Sequence, residues 1–206
     1  MQPVYYPIVF IAAYLFGSFP SAFIILKLFG KKDIREHGSG NVGAMNALRT
    51  SKSKTLAVIV LLLDLLKGAF PTWYAINHLN FDNLAFLLLV SGLLLGHLFP
   101  VWLKFKGGRG LAVAAGALGV VNLWLVVIWI GTWALFFLIL RKHIVASMIA
   151  TFILPIAVFF TKSYFFSDQI LLFTLIVCIL IFQRHLERIP DIIEEKRIKI
   201  ESGAHK

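Results

Sequence analysis

Four short polar stretches interrupt an otherwise apolar chain, and their residue types suit the handling of phosphate. The first holds Gly38, Ser39, Gly40, Asn41, Gly43, Asn46 and Arg49. Its glycines let backbone N–H groups converge on an anion, Ser39 and Asn41 add side-chain donors, and Arg49 can grip a phosphate with two hydrogen bonds. Its spacing formally matches a dinucleotide-binding glycine motif, but no buried strand precedes it and no βαβ unit follows. The second stretch runs from Gly96 and His97 through Pro100 to Lys106, Gly107, Gly108, Arg109 and Gly110. It opens a predicted short helix, whose unpaired N–H groups and dipole favour an anion. His97 also has a plainer reading, as a packing residue bonded to a backbone carbonyl beside the kink at Pro100.

The third is Asp64 and Lys67, three residues apart within an apolar run and so on one helical face. Charges inside a span are costly and usually face the bundle interior as pairs, so these two read as a structural intramembrane ion pair. The fourth is Arg184, His185 and Glu187, where the last apolar run ends. A histidine with a nearby carboxylate can serve as a base and its modulator. At that spacing the two share no helical face, so the pair requires a helix end.

What must position these residues is a membrane bundle. Of 206 residues, 59% are hydrophobic and 15% charged. The usual soluble values are about 45–50% and 25%. With a mean hydropathy of +0.86, a chain this short cannot bury its apolar surface and still present a polar exterior. A soluble enzyme, a disordered chain and a disulfide scaffold are excluded. Cys178 is the only cysteine, so no intramolecular disulfide forms. No Lys or Arg precedes the first apolar run, so it is read as a retained span rather than a cleaved signal.

Apolar segments fall at about residues 4–29, 55–79, 84–103, 111–140, 144–160 and 169–183. The net charge is +10. Treating 111–140 as one crossing would put Arg141, Lys142 and the basic tail outside, against the positive-inside rule. As one helix it would also be about 45 Å long. Dividing it near Val121 and Asn122 resolves both problems. Residues 111–120 then form a short, partly inserted helix, and 122–140 a full one. Every basic residue except Lys67 and Lys162 lies on the cytoplasmic side. The expectation is an all-α integral membrane protein, a compact bundle of about seven helical elements with its N-terminus outside and its C-terminus cytoplasmic. Residues 1–206 read as a single membrane-embedded domain with a charged tail from about 184 to 206. The basic excess fits anionic lipid or phosphate substrates and not nucleic acid, because it is divided among short loops.

No HExxH, Walker A loop or nucleophile elbow is present, and no histidine begins an HxxxxD pattern. The three glycine- and histidine-bearing segments, in this order, resemble the bacterial acyl-phosphate:glycerol-3-phosphate acyltransferases. Gly38–Asn46 with Arg49 looks like that family's first motif, Asp64-x-x-Lys67-Gly68 like its second-span signature, and Gly96-His97-x-Phe99-Pro100 with Phe105–Gly110 like its second motif. The resemblance implies a seven-helix bundle in the bacterial cytoplasmic (inner) membrane, with its active site facing the cytoplasm. It implies transfer of a fatty acyl group from acyl-phosphate to the 1-hydroxyl of glycerol 3-phosphate, giving lysophosphatidate. The substrates would be those two compounds, the surroundings membrane lipid, and neither a cofactor nor a metal is needed.

Under that reading His185 and Glu187 are the catalytic candidates. Gly38, Ser39, Gly40, Asn41, Gly43, Asn46, Arg49, His97, Lys106, Gly107, Gly108, Arg109 and Gly110 bind substrate and phosphate. The proton of the hydroxyl could go to His185 or to a phosphate oxygen of the substrate. The chain departs from the family pattern at Met45, where Thr is usual, and at Arg109, where Lys is usual. The third motif departs most, with Arg188, Asp191 and Glu195 in place of Asn, Arg and Gly. Two other readings fit the residues: a diverged relative that acylates another phospho-polyol, and a non-catalytic membrane transporter or scaffold.

Overall fold

The computed structural model describes residues 4–30, 32–162 and 164–187. Every regular element among them is helical. The first apolar segment is two helices, α1 (Tyr5–Gly17) and α2 (Ser21–Phe29). The expected single span is thus broken at Ser18, Phe19 and Pro20, because proline cannot continue the hydrogen-bond ladder of α1. A 3₁₀ turn (Ile34–Glu36) follows, then α3 (Ala44–Ser51). The first glycine stretch is therefore a loop only to Gly43, and its second half is helix. The remaining helices are α4 (Lys54–His78), α5 (Asn83–Leu98), α6 (Leu111–Val121), α7 (Leu123–Leu140), α8 (His143–Thr161) and α9 (Asp168–Leu186). Among the described residues, six stretches are long and apolar enough to cross a bilayer: Tyr5–Phe29, Lys54–His78, Asn83–Leu103, Leu123–Leu140, His143–Thr161 and Asp168–Leu186. Residues 188–206 of the charged tail, with Arg188, Asp191 and Glu195, lie outside the described residues.

The division of residues 111–140 is as the charge argument requires. Asn122 takes an extended backbone between the two helices, and its side-chain oxygen accepts from the Trp124 N–H at 3.0 Å. One residue thereby ends α6 and caps α7. Ser53, Asp82 and Ser167 cap α4, α5 and α9 in the same way. The Tyr6 hydroxyl also donates to Asp82, at 2.7 Å, and ties the start of α1 to the start of α5.

The short helix α6 packs into the bundle through small residues. A methyl group at Gly68 of α4 would strike the Val113 carbonyl of α6, and one at Gly116 would strike the Leu65 carbonyl of α4. The two helices cross backbone against backbone, the close approach that small residues permit in membranes. In contrast, α7 buries only Leu125. Val126, Ile128 and Trp129 are partly buried against the core, while Leu123, Trp124, Val127, Leu135, Leu138 and Ile139 form an apolar outer surface suited to lipid.

The break between α1 and α2 leaves a carbonyl and a hydroxyl that α4 uses. Lys67 Nζ donates to the Phe19 carbonyl at 2.6 Å, to Ser21 Oγ at 3.2 Å and to Asp64 Oδ1 at 3.1 Å. Ser21 Oγ donates to Asp64 Oδ1 at 2.5 Å. Both charged side chains are buried. Removing one partner would leave an uncompensated charge, whereas removing both would not. Lys67→Met should therefore cost about 3–5 kcal/mol. The double variant Asp64→Leu, Lys67→Met should recover at least half of that loss in thermal unfolding in detergent. Equal loss in the single and double variants would contradict the pairing.

Candidate active site

Two cavities open at the end of the bundle where the polar stretches meet. One, of about 310 Å³, runs among α4, α6, α7, α8 and α9. Its wall is mostly apolar, with Leu61, Leu65, Leu118, Val126, Trp129, Ile130, Leu154 and Ile181, and its polar end carries Asn41, Asp64, His97, Arg109 and His143. The other, also about 310 Å³, is lined by Ser39, Asn41, Met45, Asn46, Arg49, Arg109, Lys142 and His143. The first suits a hydrocarbon chain and the second a small anion. They share Asn41, Met45, Arg109 and His143.

The first loop is built to a fixed shape. Gly38 and Gly40 have φ of +61° and +66°, a region other residues rarely enter. Asn46, on the first turn of α3, reaches back across it. Its Oδ1 accepts from the Ser39 N–H at 2.9 Å, and its Nδ2 donates to the carbonyls of Ile34 and His37 at 3.0 Å each. Asn46 therefore touches the cationic cavity but spends its polar atoms holding the loop, which corrects its expected role as a phosphate ligand. The Ser39 N–H is spent in the same contact. Val42, with Ala22, Leu26, Ile34, Ala47, Val60 and Leu103, forms a small apolar cluster that fastens the loop to α2 and α4. Asp33 pairs with Arg35, which holds its carboxyl down to about 2 and keeps it charged in any physiological medium. Arg35 also lies 4.8 Å from the Phe23 ring centre, so it is part of the loop's anchorage.

What remains directed at the cavities is consistent with anion binding. Gly43 precedes α3 and no side chain caps that helix; Gly110 precedes α6 and again no side chain caps it. Both helix starts line the apolar cavity, through Gly43, Ala44 and Met45 and through Gly110, Leu111 and Ala112. Two helix N-termini thus converge near Arg109, where orphan N–H groups and two dipoles favour negative charge. Met45 and Arg49 lie one turn apart on α3 and both line the cationic cavity.

The second glycine run works differently from the expected cradle. The Gly107 N–H donates to the Leu98 carbonyl and the Gly108 N–H to the His97 carbonyl, each at 3.1 Å. These groups close the C-terminal end of α5 and are not offered to an anion. The glycines serve close approach: a side chain at Gly107 would meet the Leu98 carbonyl and the Pro100 ring, and one at Gly108 would meet the His97 imidazole. His97 is buried between this run and Asp64, with its Nδ1 3.8 Å from Asp64 Oδ1, beyond hydrogen-bonding distance. Lys106 is exposed and lines neither cavity.

At the end of α9 the expected base–modulator pair is not formed. Glu187 pairs with Arg184. Arg184 Nε donates to the Gly108 carbonyl at 3.4 Å, and the guanidinium lies 5.1 Å from the Phe99 ring centre, which docks α9 on the second glycine run. His185 is buried, and its Nδ1 bonds the Ile181 carbonyl at 2.9 Å. A carbonyl only accepts, so Nδ1 carries the proton and Nε2 holds the lone pair in the neutral ring. Nε2 finds no partner among the described residues. Spacing had already denied the two residues a common face, and α9 stays helical through Leu186, so no helix end brings them together.

Three residues at this end went unmarked in the sequence. Ser21 completes the buried charge pair, and Lys142 and His143 line the cationic cavity. A lone serine after proline, and a histidine one residue before an apolar run, carry no pattern to distinguish them. Among the described residues no three His, Cys, Asp or Glu side chains come together in a way that could hold a metal ion.

Comparison with known proteins agrees with this geometry. A family profile described as glycerol-3-phosphate acyltransferase matches residues 7–195. The chain is 40% identical over 194 residues to the glycerol-3-phosphate acyltransferase of Pelagibacter ubique (strain HTCC1062), covering 94% of this chain and 97% of that one. To the corresponding protein of Bordetella avium (strain 197N) it is 36% identical over 204 residues, covering 98% and 96%. It also resembles the crystal structure of PlsY (YgiH), an integral membrane glycerol 3-phosphate acyltransferase, in the glycerol 3-phosphate form. That likeness covers 92% of each chain at 33% identity, with a TM-score of 0.79.

The loop geometry makes a prediction of its own. Asn46→Asp replaces two buried donors with a carboxylate facing two carbonyls. It should cost about 2–4 kcal/mol, the scale of two buried hydrogen bonds left unmade. An unchanged thermal unfolding midpoint would show that Asn46 does not hold the loop.

Proposed function

The chain belongs to the glycerol-3-phosphate acyltransferase family, and we propose on that premise that it transfers a fatty acyl group from acyl-phosphate to the 1-hydroxyl of glycerol 3-phosphate, giving lysophosphatidate. It is a membrane acyltransferase. The observation that carries the donor and acceptor assignment is the meeting of an apolar and a cationic cavity at Asn41, Met45, Arg109 and His143. An acyl-phosphate is an amphiphile with a long apolar chain and an anionic head. Its chain fits the apolar cavity, whose wall includes the outward-facing Leu61 and Ile130, so entry from the lipid is open. Glycerol 3-phosphate fits the cationic cavity beside Arg49, Arg109 and Lys142.

The reaction needs little from the protein beyond placement. Acyl-phosphate is a mixed anhydride, so phosphate is a good leaving group and no covalent enzyme intermediate is required. The 1-hydroxyl oxygen attacks the acyl carbon, an ester C–O bond forms, and the acyl carbon–oxygen bond to phosphate breaks. Holding both phosphates and excluding water converts a bimolecular encounter into an oriented one. The uncapped starts of α3 and α6, with Arg109, stabilise the charge that develops on the acyl oxygen and the departing phosphate. We assign the hydroxyl proton to Nε2 of His185, whose lone pair is set by the Ile181 carbonyl, with a phosphate oxygen of the donor as the competing acceptor. Ile181, one turn before His185, lines the apolar cavity; His185 itself lines neither cavity. Glu187 has no part in this step.

The proposed setting is the bacterial cytoplasmic membrane, with the cationic cavity facing the cytoplasm. The basic residues Lys27, Lys32, Arg49, Lys52, Lys54, Lys104, Lys106, Arg141, Lys142 and Arg184 occupy the loops and helix ends of that side, which supports this orientation.

Arg49→Ala should raise the KM for glycerol 3-phosphate at least 30-fold, the loss of a bidentate charged contact, in protein that purifies folded. Wild-type kinetics in that variant would refute the acceptor site. His185→Ala should lower kcat at least 100-fold, the scale of general-base catalysis, with little change in either KM. A kcat within threefold of wild type would transfer the proton step to a phosphate oxygen.

A further inference from the structure

His143 is the first residue of α8 and stands where the two cavities join. Its orientation is fixed from outside the site. The Trp133 indole Nε1 donates to His143 Nδ1 at 3.2 Å, and the two rings meet edge to face with centres 5.4 Å apart. An indole nitrogen can only donate, so Nδ1 holds the lone pair and the neutral ring carries its proton on Nε2. This is the opposite tautomer from His185, whose Nδ1 faces a carbonyl. Phe137, stacked on Trp133 with ring centres 5.2 Å apart, also meets the His143 ring edge to face, with centres 6.5 Å apart. Arg49 and Arg109 line the same cavity as His143.

We propose that His143 is a substrate-binding residue of the acyl-transfer site, donating its Nε2–H to a phosphoryl oxygen at the junction of the two cavities. Trp133 is then a positioning residue that acts through it. The inference rests on the acyl-transfer reading above. The chemistry is that of a neutral, directional donor among cations. Arg49, Arg109 and Lys142 already supply charge, and a protonated imidazole would lose the Trp133 bond, because both partners would then be donors. A neutral N–H fixes the orientation of one phosphoryl oxygen without strengthening the hold on a phosphate that must leave. Two sources offer that oxygen, the acceptor's phosphate and the donor's, and separate KM values distinguish them.

The test compares His143→Phe, His143→Gln and Trp133→Phe in full-length protein. Phenylalanine keeps the ring contacts with Trp133 and Phe137 but has no donor. Glutamine returns an N–H near the place of Nε2. Three readouts are taken: kcat/KM with palmitoyl-phosphate and glycerol 3-phosphate, the thermal midpoint, and calorimetric affinity for glycerol 3-phosphate and for a non-hydrolysable acyl phosphonate. His143→Phe should lower kcat/KM about 10- to 100-fold, the scale of one hydrogen bond to a charged group. Its midpoint should stay within about 2 °C of wild type, the margin of a surface-scale change in stability. His143→Gln should recover most of the loss, and Trp133→Phe should fall between. A rise in the KM for glycerol 3-phosphate alone assigns the acceptor's phosphate, and one for palmitoyl-phosphate alone assigns the donor's. His143→Phe within twofold of wild type overturns the proposal. So does a loss that glutamine does not relieve and that follows the midpoint, which is the mark of packing. Should wild type show no turnover, the function reading fails, and the two affinities still decide His143: a fall of about tenfold for either ligand in His143→Phe, relieved in His143→Gln, supports it, and unchanged affinities overturn it.

Discussion

The charge pair between Asp64 and Lys67 is the constraint from which the arrangement of the site follows. Two ionised groups in a span are stable only if each is matched, and the available partners dictate what must lie beside α4. Lys67 needs more acceptors than one carboxylate oxygen supplies. It finds them at the carbonyl of Phe19 and the hydroxyl of Ser21, groups exposed only because Pro20 breaks the first span. The same carboxylate lies beside His97, and His97 is packed on the Gly107–Gly108 run that leads into Arg109. A chain of contacts therefore runs from a proline break on one helix to the position of an arginine on another. Gly68, next to Lys67, sets the distance between α4 and α6, so the start of α6 is held at the same place.

This explains why the two glycine-rich stretches differ in use although both look like anion cradles. In the first, glycine at positions 38 and 40 makes a left-handed turn that Asn46 fastens. In the second, glycine at 107 and 108 admits the backbone to a crowded place beside His97 and Pro100. Neither run of N–H groups is chiefly spent on an anion. The donors that remain are the starts of α3 and α6, to which the two stretches lead. The glycines build the approach, and the helix ends, with Arg49 and Arg109, face the cavities.

The membrane character, the division of 111–140 and the buried charge pair were legible because each follows from a quantity the sequence carries: apolar length, the sign of loop charge, and the cost of an ion in a span. The family was legible because unusual glycine, histidine and arginine positions recur at fixed spacing. The roles of single residues were less so. Asn46 reads as a phosphate ligand until the loop closes on it, because an amide serves a carbonyl as readily as a phosphate. His185 and Glu187 read as a pair by proximity in sequence, but a helix that continues through Leu186 turns Glu187 toward Arg184. His143 belongs to the site only because α7 and α8 return it beside α3 and α6, a long-range contact that no local pattern encodes.

The central claim is that an apolar cavity and a cationic one deliver a donor and an acceptor to a shared junction at Arg109. The most direct test gives purified protein in a lipid phase palmitoyl-phosphate and glycerol 3-phosphate, and measures released phosphate against lipid product. The account predicts one lysophosphatidate for each phosphate released, and no lipid product when glycerol replaces glycerol 3-phosphate. Release of phosphate with free palmitate as the product, or no release from folded protein, would contradict it.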